Sequence, residues 1–115
     1  MKILDKKLCI ASDHAGYRLK EDVKNHLVSK NISIIDLGPF SDSSVDYPIF
    51  AKKVSNRVKS KRSDKGILIC GSGTGMAISA NKTKGIRAAV CYNTKSTKLS
   101  RQHNNANVIC LGSRF

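Results

Sequence analysis

The sequence predicts one α/β domain in which helices cover both faces of a five-stranded parallel sheet, and three observations predict it. Short apolar runs alternate with amphipathic or polar stretches along the whole chain, which is the pattern of strands connected by helices. No internal repeat or long linker interrupts this alternation. The length of 115 residues and the hydrophobic fraction of 40% suit one globular domain with a substantial core.

The elements follow from two patterns. Short continuous apolar runs such as 8–11 indicate strands buried on both faces. Ala15, Leu19, Val23 and Leu27 recur every four residues and indicate an amphipathic helix. The same reasoning gives the remaining elements: a strand over 32–37, a polar loop over 41–46, a helix containing Phe50, Val54 and Val58, a strand over 66–70, a short helix over 76–81, a strand over 86–91, a polar helix over 94–103 and a strand over 108–111.

The ends of two strands carry polar residues that we expect to meet. We expect the strand order 2-1-3-4-5, in which a crevice opens at the carboxyl ends of strands 1 and 3. Residues 12–14 (Ser-Asp-His) follow strand 1, and residues 70–73 (Cys-Gly-Ser-Gly) follow strand 3. The sequence therefore predicts a site at this edge of the sheet.

A glycine-rich loop follows the third strand, where Gly71, Gly73 and Gly75 alternate with Ser72 and Thr74. Glycines admit positive φ and let backbone N–H groups approach a ligand, and the start of the next helix adds positive potential. The loop is therefore predicted to cradle an anion, with a tight turn that binds nothing as the alternative. It is neither a dinucleotide fingerprint nor a P-loop, because the spacing is G-x-G-x-G and no Gly-Lys-Ser/Thr follows.

Cys70 stands at the tip of the third strand and faces this loop. A helix start favours the thiolate form of a cysteine beside it. Such a thiolate suits nucleophilic attack with an oxyanion hole, or proton abstraction next to a carbonyl with the loop holding an enediolate. Plain packing at the strand end is the alternative. Asp13, His14 and His103 supply further titratable groups for such chemistry.

The net charge of +13 is unevenly distributed, since no Asp or Glu follows Asp64 and seven basic residues fall within 52–65. This basic run indicates either a phosphate or polyanion partner or, as we prefer, a solvated helix face. With only three Tyr and three Phe and no recognised motif, a basic nucleic-acid-binding module is a minor alternative.

The cysteine spacing and the apolar runs indicate which metals, cofactors and cellular compartment to expect. The four cysteines form no C-x-x-C pair and match no zinc spacing with the three histidines, so we expect neither a metal nor a cofactor. No apolar run reaches the length that spans a bilayer, and residues 1–7 lack the apolar stretch of a signal peptide. We therefore expect a cytoplasmic protein without membrane contact.

Seven segments, agreeing in order and spacing, resemble the type B ribose-5-phosphate isomerases. They are 12–16 (Ser-Asp-His-Ala-Gly), 46–48 (Asp-Tyr-Pro), 69–75 (Ile-Cys-Gly-Ser-Gly-Thr-Gly), 81–82 (Asn-Lys), 85–88 (Gly-Ile-Arg-Ala), 99–104 (Leu-Ser-Arg-Gln-His-Asn) and 112–114 (Gly-Ser-Arg). The wider family also contains galactose-6-phosphate and allose-6-phosphate isomerases. The resemblance implies a Rossmann-like three-layer α/β/α sandwich and the metal-independent interconversion of ribose 5-phosphate and ribulose 5-phosphate.

The resemblance also implies residue roles. Cys70 matches the catalytic base that moves a proton between C2 and C1, while Ser72 and the backbone of 71–75 would stabilise the enediolate. Asp13 would manage protons on the sugar hydroxyls, and His103 matches the group that opens the furanose ring. The remaining implied contacts are Tyr47 and Asn104 with the sugar, and His14 and Arg114 with the phosphate.

Two further implications concern assembly and length. The resemblance implies a homodimer or higher oligomer in which the neighbour supplies His103, Asn104 and Arg114 to each site. It also implies a helix after the fifth strand with two more phosphate-binding arginines, whereas this sequence ends at Phe115. We therefore expect residues 1–115 to be one sugar-phosphate isomerase domain, truncated after the fifth strand and weak or inactive, with apolar sheet uncovered beside the first helix.

The residues alone support one of these roles. Because no carboxylate follows Asp64, the glycine loop offers no Glu, and Cys70 is the plausible proton acceptor near it. Two alternatives of substrate and chemistry stay open: a hexose-6-phosphate isomerase of the same family, and a thiol enzyme that uses Cys70 as nucleophile and His103 as base.

Overall fold

The computed structural model describes residues 7–115. The predicted absence of a signal peptide concerns residues that, apart from Lys7, lie outside this range. Within it the chain forms five strands and four helices: β1 Lys7–Ser12, α1 Tyr17–Ser29, β2 Ile34–Asp36, α2 Tyr47–Lys59, β3 Ser63–Cys70, α3 Thr74–Ala80, β4 Ala88–Val90, α4 Thr94–Asn104 and β5 Val108–Gly112.

The strands form one parallel sheet in the order β2-β1-β3-β5-β4. The five-stranded parallel sheet is confirmed, but the expected order 2-1-3-4-5 is wrong. β5 pairs with β3, so that Leu68 faces Cys110, and β4 becomes the edge strand. The reason lies in length and apolarity, because β5 is the longer and more apolar strand and suits an inner position, while three half-buried residues suffice for an edge.

The helices lie on both faces of the sheet, which confirms the three-layer sandwich. Right-handed crossovers place helices on opposite faces when the chain steps in opposite directions along a sheet. After β1 and β4 the chain steps toward the β2 edge of the sheet, through α1 and α4. After β2 and β3 it steps toward the β4 edge, through α2 and α3. The α2–α3 side of the core is formed by residues such as Ala51, Val54, Met76 and Ala80, and the α1 side centres on Ile10, Ile67 and Ile69.

An open groove of about 620 Å³ lies between α4 and β5 on the α1 face. Its floor includes the half-buried Leu111, and Tyr92, Thr97 and Arg101 line its walls.

Burial distinguishes the cysteines from the basic run. All four cysteines are free and buried. Cys9 and Cys110 lie within strands, where a cysteine packs as a small apolar residue. Most of the basic run lies exposed on α2 and the turn after it, as a solvated helix face predicts.

Among residues 7–115, no three His, Cys, Asp or Glu side chains come together in a way that could hold a metal ion. None of the helices in that stretch is long and apolar enough to cross a bilayer.

Candidate active site

The glycine loop turns sharply at the carboxyl end of β3. Gly73 adopts φ +83°, and a Cβ there would lie 3.2 Å from the carbonyl oxygen of Cys110, so the turn requires glycine. A Cβ on Gly112 would lie 2.7 Å from the carbonyl oxygen of Ser72. The loop and the end of β5 therefore pack backbone against backbone, which follows from β5 lying beside β3.

Cys70 points its sulfur at this loop. The side chain is 5% exposed, and the N–H of Gly73 donates to Sγ at 3.1 Å. A backbone donor aimed at the sulfur stabilises negative charge on it. Burial raises the pKa of the Cys110 thiol in the same cluster, and the neighbouring cysteines raise it further, so Cys110 stays protonated.

Asp13 lies beside the end of β3, because its N–H donates to the carbonyl oxygen of Ile69 at 3.1 Å. Its carboxylate accepts the N–H of Gly16 at 2.9 Å, within the turn that leads into α1. His14 is exposed, and its Nδ1 accepts the N–H of Val45 at 3.2 Å. That bond leaves Nε2 as the nitrogen available to a ligand.

Tyr47 and Ser72 complete the loop's surroundings. Tyr47 begins α2, and a Cβ on Gly75 would lie 3.2 Å from its ring. The hydroxyl of Ser72 accepts the N–H of Thr74 at 3.2 Å within the loop. Tyr47 therefore forms one wall of the predicted anion cradle, and Ser72 and Thr74 form part of its polar lining.

Arg114 also lies at this edge. Its N–H donates to the carbonyl oxygen of Gly71 at 3.0 Å, and a Cβ on Gly71 would lie 2.5 Å from its guanidinium. The structure thus places Arg114 against the glycine loop of its own chain, whereas the resemblance implied that the neighbour brings it. The difference follows from the strand order, since β5 ends beside β3.

His103 and Asn104 lie at the amino ends of the strands, whereas Cys70 lies at the carboxyl ends. α4 starts after the carboxyl end of β4 and runs back for 11 residues, about 16 Å, toward the amino ends of the strands. There the carbonyl oxygen of Asn104 accepts Nε of Arg87, which precedes β4. One copy of the chain therefore does not bring these two residues to Cys70.

Sequence reasoning missed Ser113, whose hydroxyl donates to the carbonyl oxygen of Ala15 at 3.0 Å. This bond joins the end of β5 to the segment that carries Asp13 and His14. In the sequence, Ser113 is marked only by its place in the segment 112–114. Its contact could not be foreseen, because it spans 98 residues of sequence and depends on the strand order.

These features define a class of protein. Cys70, Asp13 and the glycine loop lie together at the carboxyl edge of a parallel α/β sheet, where such folds bind small ligands. A thiol and a carboxylate beside a glycine-rich turn suit proton transfer on a small substrate. The molecule has the architecture of an α/β enzyme with an acid–base site.

Comparison with known proteins gives the family. The profile of the Ribose/Galactose Isomerase family matches residues 8–115, and the chain belongs to that family. The chain is 52% identical over 109 residues to a probable ribose-5-phosphate isomerase B of Mycoplasma genitalium, covering 92% of this chain and 71% of the relative. The resemblance inferred from the seven segments is confirmed.

Two solved structures support the same conclusion. A ribose 5-phosphate isomerase of Thermotoga maritima superposes with a TM-score of 0.94 at 50% identity, over 97% of this chain and 77% of that one. Ribose-5-phosphate isomerase B of Mycoplasma genitalium with bound ribulose-5-phosphate superposes with a TM-score of 0.87 at 49% identity, over 95% and 73%.

Proposed function

We propose that this chain interconverts ribose 5-phosphate and ribulose 5-phosphate as one isomerase domain, with turnover that is weak rather than absent. Its relatives at about half identity carry that activity in their names, and one of them is described with the ketose product bound. The observation that carries the proposal is the hydrogen bond from the N–H of Gly73 to the Cys70 sulfur, which holds the thiol against the glycine loop. The four free cysteines suit a reducing compartment, and we place the enzyme in the cytoplasm.

The central step is a proton transfer between two carbons. Cys70 as thiolate removes the proton from C2 of the open-chain aldose, the C2 electrons form a C1–C2 double bond, and O1 becomes negative. Backbone N–H groups of 71–75 and the hydroxyl of Ser72 hold this enediolate. Asp13 carries a proton from O2 to O1, and the Cys70 thiol returns its proton to C1, which gives the ketose.

The phosphate lies toward His14 and Arg114 in this proposal. Both residues flank the start of α1, where Arg18 adds a further positive charge and Asp22 a negative one. The net charge of +13 of the whole chain attracts a dianionic substrate and raises its encounter rate. Tyr47, at the wall of the loop, contacts the sugar.

Ring opening needs a second copy of the chain. His103, the proposed ring-opening group, and Asn104 lie at the edge of the sheet opposite Cys70. We therefore propose a homodimer in which each site combines Cys70 of one protomer with His103 and Asn104 of its partner. Arg114 needs no partner to reach the glycine loop.

The test is solvent deuterium exchange at C2 of ribose 5-phosphate. We expect the wild type to exchange this proton and Cys70→Ala to lose exchange by at least 10³-fold, with ribose 5-phosphate protecting Cys70 from alkylation. Exchange that survives in Cys70→Ala would exclude the thiol as base. A covalent adduct seen by mass spectrometry would instead support the thiol-nucleophile alternative, and a higher kcat/KM for hexose 6-phosphates would reassign the substrate.

A further inference from the structure

A buried lysine beside the site takes no part in the proposed mechanism. Lys20 of α1 is 0% exposed, and its Nζ lies 2.6 Å from Oδ2 of Asp36 and 2.9 Å from Oε2 of Glu21. An ammonium group is removed from water only at a large desolvation cost, which close pairing offsets. A lysine this deeply buried is thus fixed in one place by its partners.

Two aromatic rings complete the enclosure of Lys20. Its Nζ lies 5.2 Å from the ring centroid of Tyr17 and 5.6 Å from that of Phe40, both within cation–π range. Tyr17 belongs to α1, but Phe40 belongs to the loop that follows β2. Phe40 is itself 74% exposed, so its contact with Lys20 holds the loop down on α1.

Asp36 extends this contact toward the site. Its Oδ1 accepts the N–H of Gly38 at 2.8 Å, and the carbonyl oxygen of Gly38 accepts the N–H of Ser12 at 3.1 Å. Ser12 immediately precedes Asp13 in the chain. The Lys20–Asp36 pair is therefore connected through two hydrogen bonds to the backbone that presents the Asp13 carboxylate.

The far end of the same loop also reaches the site. The N–H of Val45 donates to Nδ1 of His14 at 3.2 Å, and Tyr47, which follows two residues later, packs against Gly75. The segment 38–46 thus starts at the Lys20 ion pair and ends on residues proposed to bind the phosphate and the sugar. Its position decides where both of those side chains lie.

We propose that Lys20 is a positioning residue, which holds the loop 38–46 against α1 and so sets the affinity for the sugar phosphate without touching it. The inference rests on the proposed function for its kinetic consequence. Lys24 provides a matched control, because it contacts the same two carboxylates at 2.8 and 3.2 Å but neither ring.

The experiment measures Lys20→Met and Lys24→Met in the full chain. For Lys20→Met we expect KM for ribose 5-phosphate to rise at least fivefold with kcat within twofold, because Cys70 and the glycine loop are untouched and Asp13 keeps its own hydrogen bonds to Gly16 and Ile69. We also expect amide hydrogen exchange at Val45 to accelerate at least tenfold. Lys24→Met is expected to change neither quantity by more than twofold.

A third variant separates positioning from stability. Val58→Ala removes methyl groups from the core near Gly66, which lies four residues before Cys70 in β3. If Lys20→Met and Val58→Ala change KM and Val45 exchange alike at matched loss of Tm, Lys20 is only a structural residue and the proposal is wrong. If Lys20→Met does not fold, the exposed Phe40→Ala replaces it with the same two expectations.

The two proposals fail in distinguishable ways. Wild-type protein that folds and does not turn over ribose 5-phosphate would refute the proposed function, while faster Val45 exchange in Lys20→Met would still support the positioning role. Wild-type turnover with unchanged KM and unchanged Val45 exchange in both Lys20→Met and Phe40→Ala would refute the positioning role alone.

Discussion

Gly16 sets how closely α1 approaches the end of β3. A Cβ at this position would lie 2.7 Å from the carbonyl oxygen of Ile69 and 2.8 Å from its Cγ2. The same carbonyl accepts the N–H of Asp13, and the Asp13 carboxylate accepts the N–H of Gly16. The absence of a side chain at Gly16 therefore decides where the Asp13 carboxylate lies relative to Cys70.

Gly16→Ala is expected to lower stability by about 1–3 kcal/mol, because the helix start must move away from β3. We expect kcat/KM to fall at least tenfold as Asp13 moves. Gly85→Ala is the control, since Gly85 has φ +91° and nothing within 4 Å of a built Cβ, so it is strained without any contact. If Gly16→Ala keeps full activity and is as stable as Gly85→Ala, this explanation of Gly16 is wrong.

Sequence reasoning located some of the site residues and not others. Asp13 and Cys70 were expected to meet because strands 1 and 3 are neighbours in both the expected order and the observed one. The contact of Arg114 with Gly71 depends on β5 lying beside β3, which the expected order did not contain. The close approach at Gly16 has no signature in one sequence beyond the glycine itself.

At the scale of elements, the exchange of β4 and β5 is what the sequence could not decide. Both orders satisfy right-handed crossovers and the same alternation of strands and helices. Only composition distinguishes them, because β5 reads Val-Ile-Cys-Leu-Gly and β4 reads Ala-Ala-Val. That difference favours β5 as the inner strand and is too small to use without the structure.

The charged cluster that joins α1 to the end of β2 makes stability depend on pH. Burial opposes ionisation of Asp36, but hydrogen bonds from Lys20 and Lys24 outweigh it and hold the pKa of Asp36 below its usual value. A hydrogen bond from Lys20 lowers the pKa of Glu21, and one to Asp36 raises the pKa of Lys24. Folding therefore favours the charged form of all three.

The directions of these pKa shifts set the pH range in which the cluster stabilises the fold. The two carboxylates stabilise the fold above their ordinary pKa of about 4 and lose that contribution as pH falls through their lowered pKa values. Lys24 contributes below its ordinary pKa of about 10.4 and loses its contribution as pH rises through its raised value.

We expect Asp36→Asn to flatten the fall in unfolding free energy between about pH 5 and pH 3 relative to wild type. Urea unfolding at several pH values measures this slope, and parallel curves for the two proteins would contradict it.

Across the whole molecule, α4 separates groups that the proposed mechanism needs together. The helix starts near the carboxyl ends of the strands and delivers His103 and Asn104 to the other edge. The sequence placed a helix over 94–103 correctly, but it could not show which edge the helix end reaches, because that depends on the direction of the whole crossover. Two copies arranged with opposite edges adjacent would bring His103 of one to Cys70 of the other.

Mixing inactive variants tests this arrangement. Cys70→Ala and His103→Ala are each expected to be inactive as homodimers. A 1:1 mixture refolded together would contain heterodimers with one intact site each, which restores about a quarter of wild-type activity for random pairing. Cys70→Ala mixed with Asp13→Ala is the control, because both residues come from the same protomer's site and no pairing yields an intact one. No recovery in the first mixture, or equal recovery in both, would place His103 outside a shared site, and a monomer in sedimentation would exclude the dimer itself.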